Sequence, residues 1–145
     1  MIIISFLLIW LPYFASKIKG ILMSTGRGFK LDITSNTSFT ISSGPLSYSY
    51  SIFQAAFHYG KELSRGSEHT INDIFFSGEL QFYFYNSQLY LDWSQAAQVS
   101  NGLVAISVFI KLLEDSNLNQ KNHQLSAILD AINQIIIKGN FIKEA

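Results

Sequence analysis

The chain has no cysteine, which excludes disulfide frameworks, thiolate zinc sites and cysteine nucleophiles together and leaves the redox compartment open. Charge is sparse: ten basic and ten acidic side chains cancel. No stretch gathers Lys and Arg on one face, so the footprint that nucleic-acid binding needs is missing. There is no G-x-S-x-G nucleophile elbow, and the glycines of STGRG (24–28) are too few to cradle a phosphate. Histidine is limited to His58, His69 and His123, so any metal chemistry rests on these with carboxylates. No apolar run is long enough to span a bilayer as a helix. What remains is 48% hydrophobic over 145 residues, enough for one domain with a real core.

The opening run MIIISFLLIWLPYF, followed by Ala15-Ser16, has the length of a secretory leader core ending in small residues, although it lacks a charged start. A buried strand, or non-native sequence at the edge of an incomplete gene model, would read the same way. Residues 1–16 are therefore set apart from a domain over 17–145. Asn36-Thr37-Ser38 is a glycosylation sequon in a predicted turn, and it matters only on a secretory route.

The middle of the chain has period two. In Glu79 to Tyr85, Leu80, Phe82 and Phe84 face one way and Glu79, Gln81, Tyr83 and Tyr85 the other, which predicts a strand with two unlike faces. Over Ser51 to Tyr59, Gln54, Ala56 and His58 share one face, with Phe53, Ala55, Phe57 and Tyr59 opposite. Leu103 to Ile110, opened by Asn101-Gly102, reads as a strand buried on both sides. Shorter strands are expected at Phe29 to Ile33 and Ser38 to Ile41. Leu125, Ile128, Leu129, Ile132, Ile135 and Ile136 recur at helical spacing between an Asn122 cap and a Gly139 stop, and a helical turn is expected near Ser94 to Gln98. The class is mainly β with some α.

Three blocks in order, SGPLSYSYSIFQAAFHYG, RGSEHTINDIFFSGELQFYFYNSQLY and AAQVSNGLVAISVFIKL, resemble consecutive core segments of the α-carbonic anhydrase family. The resemblance implies a large twisted, mostly antiparallel sheet with peripheral helices. It also implies that the chain is a truncated domain, with the segment carrying the family's catalytic threonine missing. Enzymes of the family hold zinc with three histidines, two as H-x-H on one strand and one within E-L-H on the next. Residues two apart on a strand face the same side, so two imidazoles converge from one strand and the third from its neighbour, leaving a fourth position for water. Zinc brings the pKa of that water to about 7.

Here the first pattern stands as Gln54-Ala55-Ala56-Phe57-His58-Tyr59-Gly60 and the second as Glu79-Leu80-Gln81. By resemblance the ligand positions are Ala56, His58 and Gln81, and one imidazole of three is left. The proton-shuttle position is Arg27, whose guanidinium stays charged near neutral pH. Gln54, Glu68 and Glu79 match residues that support the ligands, Glu68 being the counterpart of a buried glutamate that orients the catalytic threonine. Glutamine at the third position resembles the acatalytic related proteins of the ten and eleven type, although Ala56 departs from their usual arginine.

The expectation is a catalytically inactive protein with no cofactor, secreted and binding an extracellular or cell-surface partner, neurexin-like by resemblance. Tyr48, Tyr50, Tyr85, Tyr90 and Trp93 include candidates for exposed anchors, although most buried aromatics are simply core. The alternatives are a zinc-dependent carbonate dehydratase and a truncated, non-functional fragment.

Overall fold

A computed structural model describes residues 2–5, 20–25, 28–34, 39–62, 65–112 and 143–144. They form one mixed sheet, whose strands are β1 (Ile2–Ser5), β2 (Gly20–Ser24), β3 (Gly28–Ile33), β4 (Thr40–Ser43), β5 (Leu46–Tyr59), β6 (Gly78–Asn86), β7 (Leu103–Ile110) and β8 (Lys143–Glu144). A single helical turn, α1 (Trp93–Ala96), precedes β7. The strand order is β1-β7-β6-β5-β3-β2-β8, with β4 also pairing β5. Every pairing is antiparallel except that of β1 with β7. The mainly β class is as expected from the sequence. Among the described residues no helix is long and apolar enough to cross a membrane. The expected helix from Asn122 to Gly139, with His123, lies outside the described residues, as do Arg27, the Asn36 sequon and residues 6–16 of the opening segment.

The two faces of the sheet differ in chemistry. On one, Tyr50, Ile52, Phe84 and Val104 make the buried core, flanked by Ile33, Phe39, Ile41, Phe82 and Ile106. On the other, β5 and β6 pair Gln54 with Tyr83, Ala56 with Gln81 and His58 with Glu79, and β7 sets Ser107 opposite Gln81. Strand β7 buries Val104 and Val108 on the core face and Ala105 and Ser107 on the polar one, so its apolar run is covered on both sides.

One expectation about β5 is corrected. The β5–β6 register shifts between Ile52 and Gln54, so Phe53 is the extra residue of a β-bulge. Instead of lying with Ala55, Phe53 stacks on Trp93 at 5.4 Å and touches Tyr83 and Tyr85, on the polar side. Tyr50, expected as an exposed anchor, is a core residue whose hydroxyl donates to the Asn101 carbonyl at 3.0 Å.

Candidate functional site

The polar face is completed by the loop between β5 and β6. Gly66 and Ser67 donate their backbone N–H groups to the Phe76 carbonyl, and the Ser67 hydroxyl accepts from the Phe76 N–H while donating to the His69 carbonyl. A Cβ on Gly66 would overlap the Ser77 carbonyl, so only glycine allows the loop to lie this close to the start of β6. The turn at its tip places Asn72 and Asp73 at positive φ, where Asn and Asp are among the best tolerated residues, and pairs Ile71 with Ile74.

That loop carries Glu68 and His69 onto Glu79. Glu79 is 0% exposed and accepts four hydrogen bonds. The Glu68 and His69 backbone N–H groups donate to Oε2, both at 2.9 Å. The His69 ring Nδ1 at 2.7 Å and Gln81 Nε2 at 3.0 Å meet Oε1. Ser107, buried beside them, makes no well-formed hydrogen bond but lies near enough for its hydroxyl to act on the same carboxylate. Burial pushes the Glu79 carboxyl up. The nearby Ser107 hydroxyl and the hydrogen bonds from the His69 backbone, Gln81 and the His69 ring outweigh it and bring the pKa from 4.5 to about 2. An ionised carboxylate only accepts, so His69 Nδ1 carries the proton it donates.

Gln81, 1% exposed, is the centre of the network. Its Nε2 donates to Glu79 Oε1 at 3.0 Å and to Glu68 Oε2 at 3.2 Å, bridging two carboxylates. Its Oε1 accepts from the Tyr83 hydroxyl two residues along the same face. Burial first, then the charges of Glu68 and Glu79, raise the Tyr83 phenol, which keeps it protonated as a donor. His58 Nδ1 lies 3.4 Å from Glu68 Oε1.

The sheet thus brings the three positions assigned to metal ligands by resemblance onto one face: Ala56 directly opposite Gln81, and His58 two residues on. Ala56 offers a methyl group, Gln81 turns its amide nitrogen inward, and one imidazole remains. Among the described residues no group of three or more His, Cys, Asp or Glu side chains is arranged to hold a metal ion. Of the supporting residues, Glu79 and Glu68 join the network, but the Glu68 side chain is 56% exposed, which corrects its reading as a buried group. Gln54 turns away to donate to Asp32 at 2.7 Å, and Asp32 also pairs with Lys30 at 3.2 Å. Sequence reasoning weighed His69 only as a metal donor and put Tyr83 on the face of Glu79 and Gln81, but gave neither of them, nor Ser107, a place in this network. His69 and Tyr83 sit in the GSEHT and ELQFY strings that carry the resemblance, but their partners become visible only once the loop is folded over β6.

A family model described as eukaryotic-type carbonic anhydrase matches residues 8–144. The chain is 31% identical over 118 residues to carbonic anhydrase 1 of Oryctolagus cuniculus, an overlap covering 81% of this chain and 48% of that protein. It is 38% identical over 96 residues to carbonic anhydrase 1 of Monodelphis domestica, covering 66% of this chain and 34% of the relative. The chain therefore spans about half or less of the length of these relatives.

Proposed function

The chain belongs to the eukaryotic-type carbonic anhydrase family, and from that premise we propose that it is a member without zinc-dependent hydratase activity, akin to the acatalytic related proteins, whose function is to bind another protein. The observation that carries this reading is the Gln81 amide, which directs its nitrogen at Glu68 and Glu79 where a metal-binding residue would direct a lone pair. Ala56 across the strand pair removes a second donor. A zinc-bound hydroxide needs several such donors, so catalysis has no support from this face.

Binding is supported by the aromatic ledge beside the network. Trp93 is 52% exposed while stacked on Phe53, and Leu89 and Leu91 next to it are exposed as well. A rigid tryptophan with open apolar neighbours is the kind of anchor that carries interface energy. The partner is an extracellular or cell-surface protein, reached through the leader-like opening run. Part of that run, Ile2–Ser5, pairs with β7, and N-terminal sequencing of the mature chain decides between the two uses.

The test is metal content and carbon dioxide hydration of the purified chain, with a pull-down from cell-surface extracts with and without chelator. The reading requires no stoichiometric zinc, no sulfonamide-sensitive hydration above buffer, and capture of a partner that survives chelation. Zinc-dependent hydration would instead support carbonate dehydratase activity, the reading favoured by the names of the relatives.

A further inference from the structure

An amide at the centre of a carboxylate cluster can face either way. With its oxygen inward, Gln81 would turn a lone pair toward Glu68 and Glu79, the orientation that a cation between them would need. With its nitrogen inward it supplies two N–H donors that tie the carboxylates together, each hydrogen bond strengthened by the charge on its acceptor. The hydrogen-bond partners select the second orientation: Nε2 meets Glu68 and Glu79, and Oε1 meets the Tyr83 hydroxyl.

We propose that Tyr83 is the positioning residue that makes this site refuse cations, because its hydroxyl holds the Gln81 oxygen away from the carboxylates and locks the amide nitrogen between them as a built-in substitute for positive charge. The proposal rests on the zinc-free reading above and adds to it a specific cause. Three features make the lock firm. Tyr83 and Gln81 are two apart on β6 and so share a face. The Tyr83 ring lies tilted against Phe53, itself stacked on Trp93, which limits where the hydroxyl can point. Finally, reversing the buried amide would set its oxygen against carboxylate oxygens of Glu68 and of the fully buried Glu79, where an unmet polar contact is costly.

The experiment uses the full chain with zinc as the probe, and follows the Gln81 side-chain amide by NMR alongside calorimetric titration and thermal melting. In the unmodified chain the two amide protons should be well separated and slow to exchange, and zinc should leave both them and the melting temperature unchanged. Tyr83→Phe removes only the hydroxyl. It should shift the Gln81 amide pair and speed its exchange with solvent, and raise zinc affinity by at least ~tenfold. Gln81→Glu replaces the bridge with a third carboxylate, so it should melt earlier than the unmodified chain and recover when zinc is added.

If zinc moves the Gln81 amide of the unmodified chain, the zinc-free reading falls and the lock falls with it. If the unmodified chain ignores zinc but Tyr83→Phe leaves the shifts and exchange of the Gln81 amide unchanged, or gains no zinc affinity, the lock alone is overturned. A Gln81→Glu chain that melts with the unmodified one, or that zinc fails to restore, overturns it as well.

Discussion

Ile52 and Gln54 are two residues apart on one strand yet lie on opposite faces of the sheet: Ile52 pairs with Phe84 in the core and Gln54 with Tyr83 on the polar side. Uninterrupted alternation would have put both on one face. The bulge at Phe53 resets the phase, so that the even-numbered residues of β5 build the core before it and the candidate site after it.

Deletion of Phe53 should therefore be tolerated by the pairing, because Ile52 and Gln54 would then alternate normally and keep their present partners. The loss falls on the aromatic ledge, where Trp93 gives up its stacking partner. The expected result is a cooperative melt with unchanged far-ultraviolet dichroism, stability lower by about 1 kcal/mol, and red-shifted Trp93 emission in a Trp10→Phe background. A collapse of the strand signal would mean that the bulge holds the register itself.

How much of this was legible differs between neighbouring strands. The alternation of Glu79 to Tyr85 assigned both faces of β6, and the run from Leu103 to Ile110 marked β7 at both ends, because each pattern survives unchanged into the sheet. The bulge was not legible, since Ile52, Phe53, Ala55, Ala56 and Phe57 are apolar enough that either phase looks acceptable. Strand β2 was missed because GILMS is short and carries little alternation. The role of His69 was not legible because its partner, Glu79, belongs to the next strand and is reached only when the Gly66 loop folds back. Tyr50 was misread because tyrosine suits both a core and an interface, and only its hydrogen bond to Asn101 settles which.

Acid should weaken the fold through Glu79. Its folded-state pKa of about 2 lies below the ordinary 4.5, so its contribution is complete above pH 4.5 and is lost as pH falls through that window toward 2. The shift corresponds to roughly 3 kcal/mol. Urea melts at pH 7, 4 and 3 should show stability falling across the lower pair. Glu79→Gln should lower stability at pH 7 and flatten the acid slope. An unchanged slope in that variant would place the acid sensitivity elsewhere.

Gly66→Ala should dismantle the network from a distance. The added methyl group overlaps the Ser77 carbonyl, which is backbone and cannot swing aside, so the loop must lift from β6. Lifting it withdraws the Glu68 and His69 N–H groups from Glu79, leaving a buried charge short of partners. The loss should exceed 2 kcal/mol and remove the His69–Glu79 interaction, seen as an upward move of the Glu79 carboxyl titration in carbon-13 spectra. If the variant melts with the unmodified chain, the close approach of loop and strand carries no energetic weight.

The register of β5 against β6 makes the last prediction specific. Ala56 sits opposite Gln81 and two residues from His58 on the same face, and directly opposed side chains have Cβ atoms about 5 Å apart. Ala56→His together with Gln81→His therefore puts three imidazoles within reach of one metal, two from one strand and one from its neighbour. The same change removes the Gln81 amide that bridges Glu68 and Glu79, which costs about 1–3 kcal/mol when no metal is present. The double variant should thus be less stable than the unmodified chain in chelator and more stable than it in excess zinc, since a ligand bound only by the folded state adds stability as its concentration passes the dissociation constant. Melting curves with chelator and with zinc, read beside bound zinc per chain, check both halves. A crossing of the two stabilities with one zinc per chain is the expected outcome. Equal melting under both conditions would show that the paired strands do not hold the three positions in metal-binding geometry.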